Sequence, residues 1–149
     1  MQELIAYMIT WTTYGTWLQG DARGWVREGE TFETNPALEK SNLSALKQKI
    51  ITLNHQQRIA VQNAIVEEAK RINHKIYAIS VRRNHVHIVA ENYQIPMNQM
   101  VKRYKNVATA VLKRTGLNQK IWTKGFDKRF CFTEKELINR IEYVKKHDE

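Results

Sequence analysis

Near the start of the chain Ile5, Tyr7, Ile9 and Trp11 alternate with Ala6, Met8, Thr10 and Thr12. A period of two in aromatic and β-branched residues predicts a strand. The stretch from Tyr14 to Leu38 has no such period. It holds four of the six glycines (Gly15, Gly20, Gly24 and Gly29), Trp17, Trp25 and Pro36. A loop of that length is either a binding element or a surface insertion pinned by its tryptophans. Ser44 to Asn73 reads as helix, with a break suggested at Asn54-His55 and an apolar stripe of Ile59, Ile65, Val66, Ala69 and Ile72. Lys75–Val81 and His85–Glu91 alternate again and predict two strands joined tightly through Arg82-Arg83-Asn84.

Pro96 opens the clearest amphipathic helix, with Met97, Met100, Val101, Tyr104, Val107, Ala108, Val111 and Leu112 at steps of three and four, and Gly116 placed to end it. Lys120–Phe132, around Gly125, reads as a strand or short hairpin. Thr133 and Glu136 then form a capping box for a terminal helix. The order strand, helix, strand, strand, helix, strand, helix predicts an α+β sandwich, with helices on one face of a mainly antiparallel sheet. At 149 residues the expectation is a single domain, 1–149, with a loop insertion at about 14–38.

Composition narrows the setting. No apolar run approaches the roughly 20 residues of a membrane span, so no membrane partner is expected. MQELIAYMIT has no basic leader followed by an apolar block, which argues against a secretion signal. Cys131 is alone and cannot close an intramolecular disulfide, consistent with a reducing cytoplasm. The formal net charge is +9, and it is unevenly spread. Lys70 to Arg129 contains fourteen Lys/Arg against two acids, Glu91 and Asp127, a local +12 that exceeds the total. A basic block of this kind points to a polyanion, most often nucleic acid, with a solvated basic surface as the plainer reading.

The sharpest chemical feature is His85-Val86-His87. On a strand, residues i and i+2 project from one face, so the two imidazoles stand side by side and suit one metal ion. In the terminal helix Leu137, Ile141 and Val144 mark the buried stripe. Tyr143 lies roughly 200° and His147 roughly 240° from Ile141, sharing a face turned away from that stripe. A surface tyrosine explains this arrangement by itself. Beside a histidine pair, His147 is a candidate third ligand and Tyr143 a candidate nucleophile. A metal-polarised phosphate attacked by a phenol would give a covalent intermediate. Lys102, Arg103, Lys105 and Lys113 on the Pro96 helix, and Arg82, Arg83, Lys124, Lys128 and Arg129 in the connections, are the expected phosphate contacts. Trp122, Phe126 and Phe130 are candidates for stacking bases, although core packing accounts for each singly.

With these residues in view, the chain resembles the single-tyrosine transposases of the HUH nuclease superfamily. Within them it looks most like the REP-associated tyrosine transposases and small insertion-sequence transposases. The matching segments are Val81-Arg82-Arg83-Asn84-His85-Val86-His87-Ile88-Val89, the following helix, and Trp122-Thr123-Lys124-Gly125-Phe126 through Ile141-Glu142-Tyr143-Val144. The resemblance spans about Ile5–Thr13 and Lys75 to the C-terminus. It implies a ferredoxin-like fold and nicking and strand transfer of single-stranded DNA guided by a hairpin. It also implies a divalent cofactor, Mg2+ or Mn2+, and a 5′-phosphotyrosine intermediate with a free 3′-hydroxyl. By position His85 and His87 become metal ligands and Tyr143 the nucleophile. His147 falls where the family often has Gln or Asn. A cytoplasmic, nucleoid-associated enzyme is implied.

A homodimer is favoured because strand exchange uses two cleaved ends, although REP-associated relatives can act as monomers. Two other readings compete. One is a non-catalytic, domesticated transposase-like protein that binds structured DNA or RNA. The other is a metal hydrolase of small molecules, which leaves the +12 segment unexplained.

Overall fold

The computed structural model describes residues 3–16, 25–27, 30–32 and 50–146. The alternating N-terminal segment forms β1, Ala6–Thr12. All seven of its residues are buried, the mark of a central strand covered on both faces. After β1 the stretch expected to be irregular contains a two-stranded ribbon, β2 (Trp25–Arg27) paired with β3 (Glu30–Phe32). The remainder of 14–38, apart from 14–16, lies outside the described residues.

Residues 50–54 are not helical, and α1 runs from His55 to Arg71. The start is a capping box: Asn54 Oδ1 accepts from the Gln57 amide, and Gln57 Oε1 accepts from the Asn54 amide. The break expected at Asn54-His55 is therefore present, and the helix that follows it starts at this cap. Residues 44–49 lie outside the described residues. At its other end Asn73 takes φ +59, and the His74 amide donates to the Ala69 carbonyl over 2.9 Å. This is a Schellman-type close, with asparagine in the left-handed position. Helix α2, Met97–Arg114, ends the same way at Gly116, φ +100, with the Leu117 amide donating to the Leu112 carbonyl.

Strands β4 (Ile76–Val81), β5 (His85–Glu91) and β6 (Asp127–Cys131) join β1 in one sheet of order β4-β5-β1-β6, antiparallel throughout. Together with α1 between β1 and β4 and α2 between β5 and β6, this is the ferredoxin-like arrangement. Of Lys120–Phe132 only 127–131 is strand. Trp122 makes a single bridge to Thr13, so no hairpin forms.

The two faces of the sheet have different partners. Tyr7, Ile9, Trp11, Val86, Ile88 and Ala90 pack with α1 and α2 through Val61, Ile65, Met100, Tyr104 and Leu112. Met8 and Val89 face the other way, against α3 (Glu134–Lys146), through Val144 with Leu137 and Ile141. Two helices therefore cover one face, and the terminal helix lies on the opposite one. The Thr133–Glu136 capping box is present, with the Glu136 amide donating to Thr133 Oγ1 over 3.1 Å and the Thr133 amide to Glu136 Oε1 over 3.0 Å. Cys131 is buried. Among the described residues no helix is long and apolar enough to cross a membrane.

Candidate active site

Strand alternation puts His85 and His87 on the α3 side of β5, together with Val89. In the register His87 lies opposite Thr10 on β1 and Ser80 on β4, and Thr10 lies opposite Asp127 on β6. Ser80, His87, Thr10 and Asp127 thus form one polar row across all four strands. Thr10 Oγ1 and His87 Nδ1 are 2.8 Å apart, with Thr10 2% and His87 6% exposed. His85 Nδ1 is 2.7 Å from Asn84 Oδ1. An amide oxygen only accepts, so His85 Nδ1 is the donor in this contact. The imidazole centroids are 4.6 Å apart with planes at 77°.

Helix α3 brings the tyrosine to this pair. The Tyr143 ring lies 5.8 Å from that of His87, edge-on at 78°. The helical wheel turned Tyr143 away from the buried stripe, but in the fold it flanks Val144, about 100° away. There its ring reaches towards His87 at the end of β5. Tyr143 remains 39% exposed. His147, the expected third ligand, lies outside the described residues. Among the described residues no group of three or more His, Cys, Asp or Glu could hold a metal. What they offer is a pair of imidazoles with each Nδ1 held by a neighbouring oxygen. A hydrogen bond on the far nitrogen orients a histidine ligand, so His85 and His87 could supply two ligands to a divalent ion.

The expected phosphate contacts divide. Arg82 and Arg83 line a groove of about 440 Å³ that reaches His85. Lys113, Lys124 and Lys128 are exposed, Lys128 with its ammonium over the Phe130 ring. Lys102 is exposed on the outer side of α2, and the neighbouring Arg103 is bound to Glu68 over 2.9 Å. The Arg71 hydrogen bonds, with Arg103 adding to them, hold the Glu68 carboxyl down at about 2. Arg129 is bound to Asp127 over 3.2 Å, both largely covered.

Lys105 departs from the expectation. Its Nζ turns inward and donates to the carbonyls of Thr123 (3.2 Å) and Gly125 (2.9 Å). Burial, with a small contribution from Lys120, depresses its ammonium to about 8. It anchors the 123–125 turn: the helical pattern puts it at the edge of the polar face, and this turn covers that edge. Trp122 and Phe126 are also core residues, Trp122 giving its Nε1–H to Thr109 Oγ1 over 2.9 Å. Thr10 and Asn84 were not singled out from the sequence. The one available signal was a polar residue on the histidine face of an apolar strand.

The family model described as "Transposase IS200 like" matches residues 43–147. The fold is similar to that of a REP-associated tyrosine transposase solved bound to a REP hairpin: 13% identity, TM-score 0.58, covering 97% of this chain and 67% of that one. A candidate transposase from Deinococcus radiodurans R1 is similar at 12% identity and TM-score 0.48, covering 99% and 94%. No curated protein sequence matches the chain significantly. With the family model spanning most of its length, the chain belongs to the IS200-like transposases, proteins of DNA transposition.

Proposed function

We propose that the protein nicks and rejoins single-stranded DNA through a covalent link to Tyr143, in a site built within one chain. The observation that carries this reading is the Tyr143 ring beside His87, 5.8 Å between centroids, in the same polypeptide. The whole chain acts as one domain. Its substrate is a single strand flanked by a hairpin, by analogy with the similar protein bound to a REP hairpin. The central +12 block supplies the salt-sensitive affinity for that polyanion.

His85 and His87 are the residues that would hold a divalent ion, through Nε2, with His147 as a further candidate ligand. When bound, a magnesium- or manganese-class ion polarises the scissile phosphate as a Lewis acid. Two neutral imidazoles favour manganese, since magnesium prefers oxygen ligands and water. Thr10 and Asn84 hold the two rings in place. The Tyr143 oxygen forms a bond to phosphorus as the bond from phosphorus to the 3′ oxygen breaks. The phenol loses one proton and the departing 3′ oxygen gains one. One phosphodiester replaces another, so the link conserves the energy needed for rejoining. The fragment on the 3′ side of the break stays on the protein through its 5′-phosphate, and the 3′-hydroxyl of the other fragment is the nucleophile for the reverse or transfer step.

The test uses hairpin-flanked single strands labelled on the 5′ side or the 3′ side of the break, with manganese. A denaturation-resistant adduct carrying only the strand 5′-phosphorylated at the break is expected, and none with Tyr143→Phe. An adduct that persists in Tyr143→Phe removes the nucleophile assignment. Binding with no adduct across several metals and many hairpins favours the non-catalytic binder instead.

A further inference from the structure

Three segments close around the outer end of the histidine strand. The Ile51 amide donates to the Tyr14 carbonyl over 3.1 Å, and Thr13 Oγ1 to the Ile51 carbonyl over 2.7 Å. The Leu53 amide donates to the Arg83 carbonyl over 2.7 Å, and the Thr13 amide to the Asn84 carbonyl over 2.9 Å. Residues 13–16, 50–53 and 82–85 are thereby laced together through their backbones. Gly15 sits at φ +87, and a Cβ there would come within 2.7 Å of Ile50 Cγ1. Only glycine allows this close approach without strain. The result is a braced groove lined by Thr16, Ile50, Thr52, Arg82, Arg83 and Asn84, with His85 at one end.

Its lining has two chemistries. Arg82 and Arg83 bring two guanidiniums, the group best matched to phosphate oxygens. Ile50, 49% exposed, brings an apolar surface flanked by the hydroxyl-bearing Thr16 and Thr52. Cation and apolar surface side by side match one nucleotide, with an anionic phosphate and a flat base. The volume of about 440 Å³ lies in the range of small-molecule sites, roughly 300–1,000 Å³. Because His85 forms one wall, a nucleotide here lies next to the phosphate presented to the histidines and Tyr143.

We propose that this groove holds one nucleotide of the single strand adjacent to the scissile phosphate. Arg82 and Arg83 grip its phosphate, and its base covers Ile50 between Thr16 and Thr52. The position rests on the reading of His85, His87 and Tyr143 given above, but occupancy of the groove needs neither metal nor the phenol. The groove sets which part of the strand lies across the histidines, so it acts as a subsite for one flank of the break.

The probes are a single-stranded thymidine decamer and a decamer of the same phosphates without bases, titrated into the full chain without metal. Backbone amide NMR signals are followed. Both probes are expected to shift Arg83 and Asn84, and only the thymidine decamer to shift Ile50 and Thr52. Arg83→Gln, an exposed-side-chain change, should weaken thymidine-decamer binding by about five- to tenfold at low salt. It should also lower the slope of log affinity against log salt by about 0.7, the value for one phosphate contact on a single strand. Equal shifts of Ile50 and Thr52 with both probes overturn the base seat. Shifts elsewhere with none in the groove, or an unchanged salt slope in Arg83→Gln, overturn the site. If the groove behaves as stated while wild-type protein forms no Tyr143 adduct, the nicking reading fails and the groove stands.

Discussion

Replacing Thr10 by valine removes a hydroxyl and preserves the shape of the side chain in a strand position that is 2% exposed. His87 Nδ1, 2.8 Å from that hydroxyl and 6% exposed, then loses the partner seen on β1. A buried polar group left unsatisfied costs about 1–3 kcal/mol. For a chain of this size each kcal/mol corresponds to about 2–4 °C. Thr10→Val should therefore melt a few degrees lower in chelator, with Thr10→Ser close to wild type. The larger effect is on the metal. With the hydroxyl gone the imidazole can turn or change tautomer, and losing the hydrogen bond that orients a histidine ligand typically costs about 10–100-fold in metal affinity. Manganese affinity, read from free-ion EPR, should fall by about that factor in Thr10→Val, and Thr10→Ser should recover most of it. Imidazole 15N shifts in metal-free protein give a second readout, since a changed His87 tautomer moves them without any ion present. Unchanged manganese affinity together with unchanged His87 shifts in a folded Thr10→Val protein would refute the reasoning.

Three further expectations concern other parts of the molecule. A mixture of Tyr143→Phe and His87→Ala proteins should stay inactive in adduct formation, because the rings that meet belong to one chain; recovered nicking shows a site shared between chains. Lys105→Met should destabilise the fold by about 1–3 kcal/mol, seen as a lower melting temperature, since the carbonyls of Thr123 and Gly125 lose their donor. It should leave the salt slope of single-strand binding unaltered, and a slope reduced as in Arg83→Gln would return Lys105 to the phosphate contacts. His74 is buried, with Nδ1 2.6 Å from the Tyr104 hydroxyl and Nε2 2.9 Å from the Glu91 carbonyl. Burial lowers its pKa, so the folded state favours the neutral ring. The unfolded chain then binds more protons as pH falls below the ordinary histidine value of about 6.5. Stability present above that pH should be lost on acidification towards the lowered folded value, and His74→Gln should flatten the melting-temperature profile over that interval; an unchanged profile places the acid sensitivity elsewhere.

Much of the fold was legible because its signals are local. The period of two in β1, β4 and β5, the apolar stripe of α2, the break at Asn54-His55 and the caps at Gly116 and Thr133 are written within a few residues of where they act. The His85–His87 pair was legible for the same reason, since alternation alone puts both rings on one face. The ribbon at Trp25–Phe32 was not, because two three-residue strands are too short to establish a period. Nor was the fate of Lys105: whether a lysine at the margin of a helix meets solvent or a turn depends on residues 18 and 20 positions later. The meeting of Tyr143 with His87 required tertiary structure, because it depends on α3 docking on Met8 and Val89, opposite α1 and α2. Thr10 acquires its role only when β1 pairs with β5 across 77 residues of chain. Local hydrogen bonds and side-chain periodicity thus specified the elements and the candidate ligands. Register and docking, which arise from burying apolar faces far apart in the chain, decided which polar groups orient them.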